Sequence, residues 1–446
     1  MDHLIPLLAT FVGGVVAGAA VNWAVYALAW NRRAISPWSR PAAGALPRTW
    51  ADRIPVWGWW GLRREATLHG PRFWIRPLAM ELLLGAALAA LYWWVVARQG
   101  LVAPQFAALA DGEFPPGAFA APAWTCWATW TSYALLAALM LAASLIDIDE
   151  KTIPDGITIP GTLLALTLAT FAPMALPPHV AIRSSPPAAG VETPLPAGAA
   201  LPEGRLYVEP TTPAAPNAWP ASFDPAPRGS GLAIGLSCYG LWCFALAPRI
   251  WRGRRGATTA LRLIAARVVR ELSRPPLAWI AVGGAAAIVA VWWRGGAAWV
   301  GLLTSLVGLV GGGAMVWAVR IVGSAALRRE ALGFGDVTLM MMAGAFLGWQ
   351  AGVISFFIAP FAGLAVGLLQ MALRRDDEIF YGPFLCLATL VVMVRWGYIW
   401  NADSPLQHVF AESWLTPAVL GVGVVLLGAM LVIWRNIKER LLGGAR

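Results

Sequence analysis

The chain has 446 residues, 59% of them hydrophobic and only 13% charged, and a formal net charge of +10. A soluble protein carries about 25% charged residues. The composition therefore excludes a soluble enzyme and a soluble nucleic-acid-binding module, and it points to a protein that crosses a bilayer many times. The positive excess is arginine, since Lys151 and Lys438 are the only lysines. These arginines lie between apolar runs, which directs them to an anionic membrane leaflet and not to nucleic acid.

Taken in order, about eleven apolar runs approach the roughly 20 residues that a bilayer requires. They lie near 5–29, 77–97, 124–146, 157–177, 231–248, 277–294, 297–320, 337–350, 352–373, 384–400 and 417–434. The expected fold is an all-α, polytopic membrane helix bundle. The first run follows Met1-Asp2-His3 without a positive lead-in and reads as an anchor, not a signal peptide. Nine arginines fall between the first two runs, at 32, 33, 40, 48, 53, 63, 64, 72 and 76, and residues 98–123 add only Arg98. Eight more arginines lie in 249–274, whereas 178–229 has three, Arg183, Arg205 and Arg228, against four acids. Later bases, Arg328-Arg329, Arg374-Arg375 and the tail from Arg435, alternate onto the side of the first cluster. Positive loops stay inside, which predicts an external N-terminus and a cytoplasmic C-terminus.

Residues 173–229 hold fourteen prolines and read as an extended or disordered external loop, not a folded domain. Residues 249–274 read as a cytoplasmic linker or a basic helix on the inner leaflet. The four cysteines, Cys126, Cys238, Cys243 and Cys386, form no C-x-x-C pair, so neither a zinc ribbon nor a disulfide framework is encoded.

Two places break the apolar pattern. Asp147, Asp149, Glu150 and Asp155 fall together at the end of the third run, and Asp336 opens the eighth after Gly333-Phe334-Gly335. Acids at a bilayer edge are costly unless they have a task. Charge alternation places Asp147 and Asp336 on the same, cytoplasmic, face. Two carboxylates held close share one proton: the ionised one can activate water and the protonated one can polarise a scissile carbonyl, without metal. Gly333 and Gly335 leave room beside Asp336 for an extended peptide, and Pro154 ends the third helix past the acids.

These residues resemble a known family. Ile146-Asp147-x-Asp149, Ile153-Pro154-Asp155 and Thr158-Ile159-Pro160 resemble the first signature of the type IV prepilin peptidases, membrane aspartyl proteases of the GxGD type. Gly333-Phe334-Gly335-Asp336 resembles their G-x-G-D signature, and Tyr381-Gly382-Pro383-Phe384-Leu385 their later G-P-F segment. Asn22, Trp50-x-Asp52-x-Ile54-Pro55-Val56 and Glu81-Leu82-Leu83 resemble the first cytoplasmic loop and its flanking spans.

The resemblance implies Asp147 and Asp336 as the catalytic pair. Gly333, Gly335, Asp149, Asp155, Gly382 and Pro383 become supporting or substrate-binding residues. Asp149, Glu150 and Asp155 would either attract a basic leader or stand as solvated charges. The implied activity is cleavage of type IV prepilin or type II secretion pseudopilin leaders at the cytoplasmic face of a bacterial inner membrane. Methylation of the new N-terminus by S-adenosylmethionine is associated with the N-terminal region.

The implied units are 1–97, an N-terminal unit; 124–400, the peptidase membrane core; the inserts 178–229 and 249–274; and 417–446, an extra span with a basic tail. Two departures stand out. The four cysteine positions of the family's probable zinc site fall here on Pro41, Gly44, Ala66 and His69, so no metal is expected, and the loop must order itself by packing Trp50, Trp57, Trp59 and Trp60 or by leaning on the membrane. Asp147 and Asp336 stand 189 positions apart, much farther than in the family. The competing readings are a Mg²⁺-dependent transferase acting on a lipid phosphate through Asp147-x-Asp149, a transporter, and an inactive relative.

Overall fold

In lipid, a long apolar run satisfies its backbone only as a helix or in a closed barrel, and each of the eleven runs is a helix. The computed structural model describes residues 3–30, 35–102, 104, 123–178, 181–183, 207–209, 226–246, 270, 277–328, 332–372, 381–401, 404–411 and 414–443. The apolar helices are α1 Leu4–Leu28, α3 Ile75–Tyr92, α4 Ala123–Glu150, α5 Asp155–Phe171, α6 Gly229–Leu246, α7 Leu277–Arg294, α8 Gly296–Leu327, α9 Phe334–Leu347, α10 Trp349–Ala372, α11 Tyr381–Ile399 and α13 Leu415–Gly443. Two short helices, α2 Trp57–Leu62 and α12 Pro405–Ala411, lie in connections. Among the described residues seven helices are long and apolar enough to cross a membrane, and four apolar helices are shorter. The chain is a multi-pass membrane protein.

The proline-rich segment is not wholly irregular, because Ala181–Arg183 pairs antiparallel with Tyr207–Glu209. Residues 179–180, 184–206 and 210–225, and the 249–274 stretch apart from Arg270, lie outside the described residues.

α9 is the centre of the bundle. Every residue from Asp336 to Leu347 is buried, as expected of a helix surrounded by other helices. At about 1.5 Å per residue it is roughly 21 Å long, shorter than a hydrocarbon core. It packs closely on α8 because glycines face each other: a Cβ at Gly308 would strike the Gly344 carbonyl oxygen, and a Cβ at Gly344 would strike that of Gly308. Small facing residues of this kind let membrane helices approach backbone to backbone. α5, α10 and α11 complete the wall around α9.

α1 and α3 form a close pair that carries the loop between them. Glu81 on α3 organises this unit. It is 1% exposed, and it accepts hydrogen bonds from Asn22 Nδ2 at 3.0 Å, Trp59 Nε1 at 2.7 Å and the Val56 N–H at 2.5 Å. Asn22 also donates to the Pro77 carbonyl at 2.9 Å. Of the four tryptophans expected to pack the loop, only Trp59 does so, at 2% exposure; Trp50, Trp57 and Trp60 are 76%, 66% and 47% exposed. Trp59 turns inward because Glu81 offers its indole N–H a buried partner. A second clasp joins Arg64 to Asp52 through two hydrogen bonds, at 2.9 and 2.7 Å, and the Thr49 N–H and hydroxyl complete it.

Candidate active site

α4 ends at Glu150. Lys151 adopts a left-handed conformation, φ 58°, and its N–H closes on the Asp147 carbonyl at 2.8 Å. Pro154 therefore does not end α4; it is the N-cap of α5, extended at ψ 137°. The turn between them, with Ile153 buried, lies beside the entrance to α9. Gly333 is the N-cap of α9, so Asp336 falls at the third helical position. An acid there reaches back to the cap N–H, and the Asp336 carboxylate accepts from Gly333 in this way. The Asp147 carboxylate accepts from the backbone N–H of Gly382, in the first turn of α11. Both acids are buried, at 8% and 7% exposure, and the charge of Asp147 acts on Asp336. Two carboxylates 189 positions apart in sequence thus come within electrostatic reach of each other where α4 ends and α9 and α11 begin.

The remaining expected residues divide. Gly382 belongs to the site: a Cβ there would lie 2.5 Å from Asp147 Oδ2 and 3.2 Å from Ile153 Cδ1, so only glycine lets α11 approach. Pro383 follows it in the first turn of α11, where a missing N–H is tolerated. Gly335 does not hold open a path for a peptide. Its open side faces Ile153, whose Cβ a substituent would meet at 2.8 Å, so this glycine lets the α4–α5 turn seat on α9. Gly333 lies beside Asp336, with room for a side chain at 3.5 Å from Oδ2. Asp155 is exposed in the first turn of α5, where a carboxylate complements the helix N-terminus.

Asp149 is exposed but not alone. It is paired with Arg76 of α3, whose Nη1 lies 2.7 and 3.0 Å from its two carboxylate oxygens. Glu150 accepts the Trp30 N–H at 2.6 Å. Asp147 and Asp149, two apart on a helix, turn to different partners and do not form one chelating mouth. This geometry argues against the Mg²⁺ transferase reading. Sequence reasoning did not single out Arg76, one of nine arginines in its stretch. It also did not single out Tyr381 and Cys386, which feel the charge of Asp336 and of both acids, respectively. Tyr381 stood inside a quoted motif, and nothing in a lone cysteine marked Cys386.

The zinc position has the wrong chemistry for a metal. His69 Nε2 lies 3.4 Å from Glu65, and Glu65 is itself paired with buried Arg48. A fixed guanidinium beside the only imidazole opposes a dication, and among the described residues no three metal-ligating side chains converge. In the cleft beside Asn22, Trp38, Trp59 and Glu81, both Glu81 oxygens are already engaged within the chain.

Comparison with known proteins finds similarity over part of the chain. The model of the type IV leader peptidase family matches residues 269–368, a stretch that includes Asp336. Curated relatives carry the name prepilin leader peptidase/N-methyltransferase. One from Pectobacterium carotovorum is 32% identical over 114 residues, 22% of this chain and 41% of the relative. One from Legionella pneumophila is 38% identical over 69 residues, 15% and 24%. One from Escherichia coli K12 is 32% identical over 94 residues, 21% and 40%. The chain thus spans less than half the length of these relatives. No solved structure matches. Residues 269–368, with Asp336 capping α9 inside them, are thus similar to the type IV leader peptidase family, and Asp147 lies outside the matched stretch.

Proposed function

We propose that the protein is a membrane aspartyl endopeptidase that removes the leader of type IV prepilins or type II secretion pseudopilins. The observation that carries this reading is the meeting of Asp147 and Asp336 in a buried place where helix ends converge. In the mechanism one carboxylate is ionised and takes a proton from the attacking water, while the other donates a proton to the carbonyl oxygen of the scissile peptide. Each carboxylate accepts one backbone N–H, Asp147 from Gly382 and Asp336 from Gly333, so the base and acid roles belong to the pair together. The dyad requires no metal, and we assign no methyl-transfer step to the N-terminal unit.

The substrate is a peptide whose basic leader precedes an apolar helix, and cleavage takes place on the cytoplasmic face of a bacterial inner membrane. Within this reading residues 1–97 brace the dyad, 124–400 hold it, and 417–446 add a span beyond the core. The test is cleavage of a prepilin in membranes containing the full chain. Asp147→Asn and Asp336→Asn each keep the shape and remove the acid–base function, which contributes about 10²–10⁴-fold. Each is expected to lose nearly all cleavage while still inserting, and Asp155→Asn to retain most of it. Wild-type rates in either Asp147→Asn or Asp336→Asn overturn the dyad.

A further inference from the structure

We propose that Arg76 is a positioning residue for the dyad, setting the rotation of α4 through Asp149 so that Asp147 faces Asp336. The proposal rests on the peptidase reading. Successive helix positions turn by about 100°, so residues two apart point about 200° apart. Asp149 therefore leaves α4 on the side opposite Asp147, and whatever holds Asp149 fixes the direction of Asp147. Arg76 engages both oxygens of Asp149, and its Nη2 lies 3.4 Å from the Leu145 carbonyl, within the same last turns of α4. One guanidinium thus grips both a side chain and the backbone of the segment that carries Asp147. On the other side of the helix end, Glu150 accepts the Trp30 N–H beyond α1. The α1–α3 unit therefore clamps the end of α4 at two points, and the Gly382 N–H receives Asp147 on the site side.

The Arg76–Asp149 pair is half open to solvent, at 42% and 22% side-chain exposure. An exposed pair contributes little to stability. Its consequence is orientation: a misplacement of about 1 Å at a reacting group costs on the order of 10²-fold in rate. The effect therefore belongs to kcat and not to folding. A direct role of Asp149 in gripping a basic leader would instead appear in KM.

The experiment uses the full chain in nanodiscs with a synthetic prepilin peptide as substrate, together with hydrogen exchange across residues 147–157. Arg76→Ala and Asp149→Asn are expected to lower kcat on the order of 10-fold with KM unchanged, inside the about 10²-fold ceiling for misplacement. Arg76→Lys is expected to fall between them and wild type. The double variant Arg76→Asp/Asp149→Arg, which restores the pair in reverse, is expected to recover most of the loss. Exchange across 147–157 is expected to quicken in Arg76→Ala and to slow again in the double variant. A KM change alone, or a double variant no better than either single one, overturns the proposal. Should wild type and Asp147→Asn cleave equally, the peptidase reading fails. The exchange data then still decide whether the clamp exists: unchanged exchange in Arg76→Ala removes it, and restored exchange in the double variant retains it.

Discussion

Asp147 and Asp336 each accept a hydrogen bond from a helix-end N–H, so both carboxylates are held by the chain itself before a substrate arrives. Gly382 is the narrowest point of this arrangement. Its N–H is useful to Asp147 only because no side chain keeps α11 away. Gly382→Ala places a Cβ 2.5 Å from Asp147 Oδ2, closer than carbon and oxygen can pack. The carboxylate or the helix must therefore shift. The expected result is a fall in cleavage on the order of 10²-fold, with membrane insertion intact. Gly283→Ala, at a helix position with nothing within 4 Å, serves as the control and is expected to cleave normally. Equal rates in the two variants would mean that the α11 terminus does not hold Asp147. Asp147 and Asp336 were legible in the sequence as candidates because acids interrupt apolar runs rarely. The packing task of Gly335 was not, because a glycine beside an acid reads alike whether its open side faces substrate or Ile153.

The loop between α1 and α3 is built from short elements, and polar clasps join them to one another and to the two helices. Glu81 joins α3 to α1 and to the loop, and Asp52 joins two turns of the loop through Arg64. Burial works to raise the Asp52 carboxyl, but the Arg64 guanidinium and the two Thr49 donors outweigh it and hold the group below its ordinary value. A carboxyl depressed on folding contributes stability above its unfolded pKa of about 3.9, and that contribution is lost as pH falls through the folded value. Hydrogen bonds to a charged group are worth about 1.5–3 kcal/mol. Wild type is therefore expected to lose thermal stability of the loop as pH drops below about 4. Asp52→Asn should start lower at neutral pH and lose less on acidification. Parallel acid profiles for the two proteins would show that the clasp does not hold the loop. Periodicity revealed none of these clasps: the helices were visible as apolar runs, whereas the partners of Asp52, Glu81 and Asp149 depend on turns whose direction no local pattern encodes.

At the scale of the whole molecule the helix ends agree with one another. The end of α4, the starts of α9 and α11, the start of α3 and the residue after α1 are joined by contacts at Asp147, Asp336, Gly382, Arg76 and Trp30. In a chain that alternates at every span, the ends of α1 and α4 and the starts of α3, α9 and α11 share a side because an even number of apolar helices separates any two of them. The eleven apolar runs were legible from hydropathy and charge, and the meeting of five of these ends is a constraint independent of charge. Which side they occupy rests on arginine: nine lie between the first two runs, and three lie in 178–229. Positive loops stay cytoplasmic, so the dyad is expected to face the cytoplasm and the proline-rich segment the exterior. In a cysteine-free background, an impermeant thiol reagent applied to intact spheroplasts is expected to label a cysteine at Ser222 and to spare one at Ala43, which is exposed in the first loop. Permeabilised membranes should label both. Labelling of Ala43→Cys in intact cells, with Ser222→Cys protected, would invert the protein and place the dyad outside, where a leader still attached to its cytoplasmic end does not reach it.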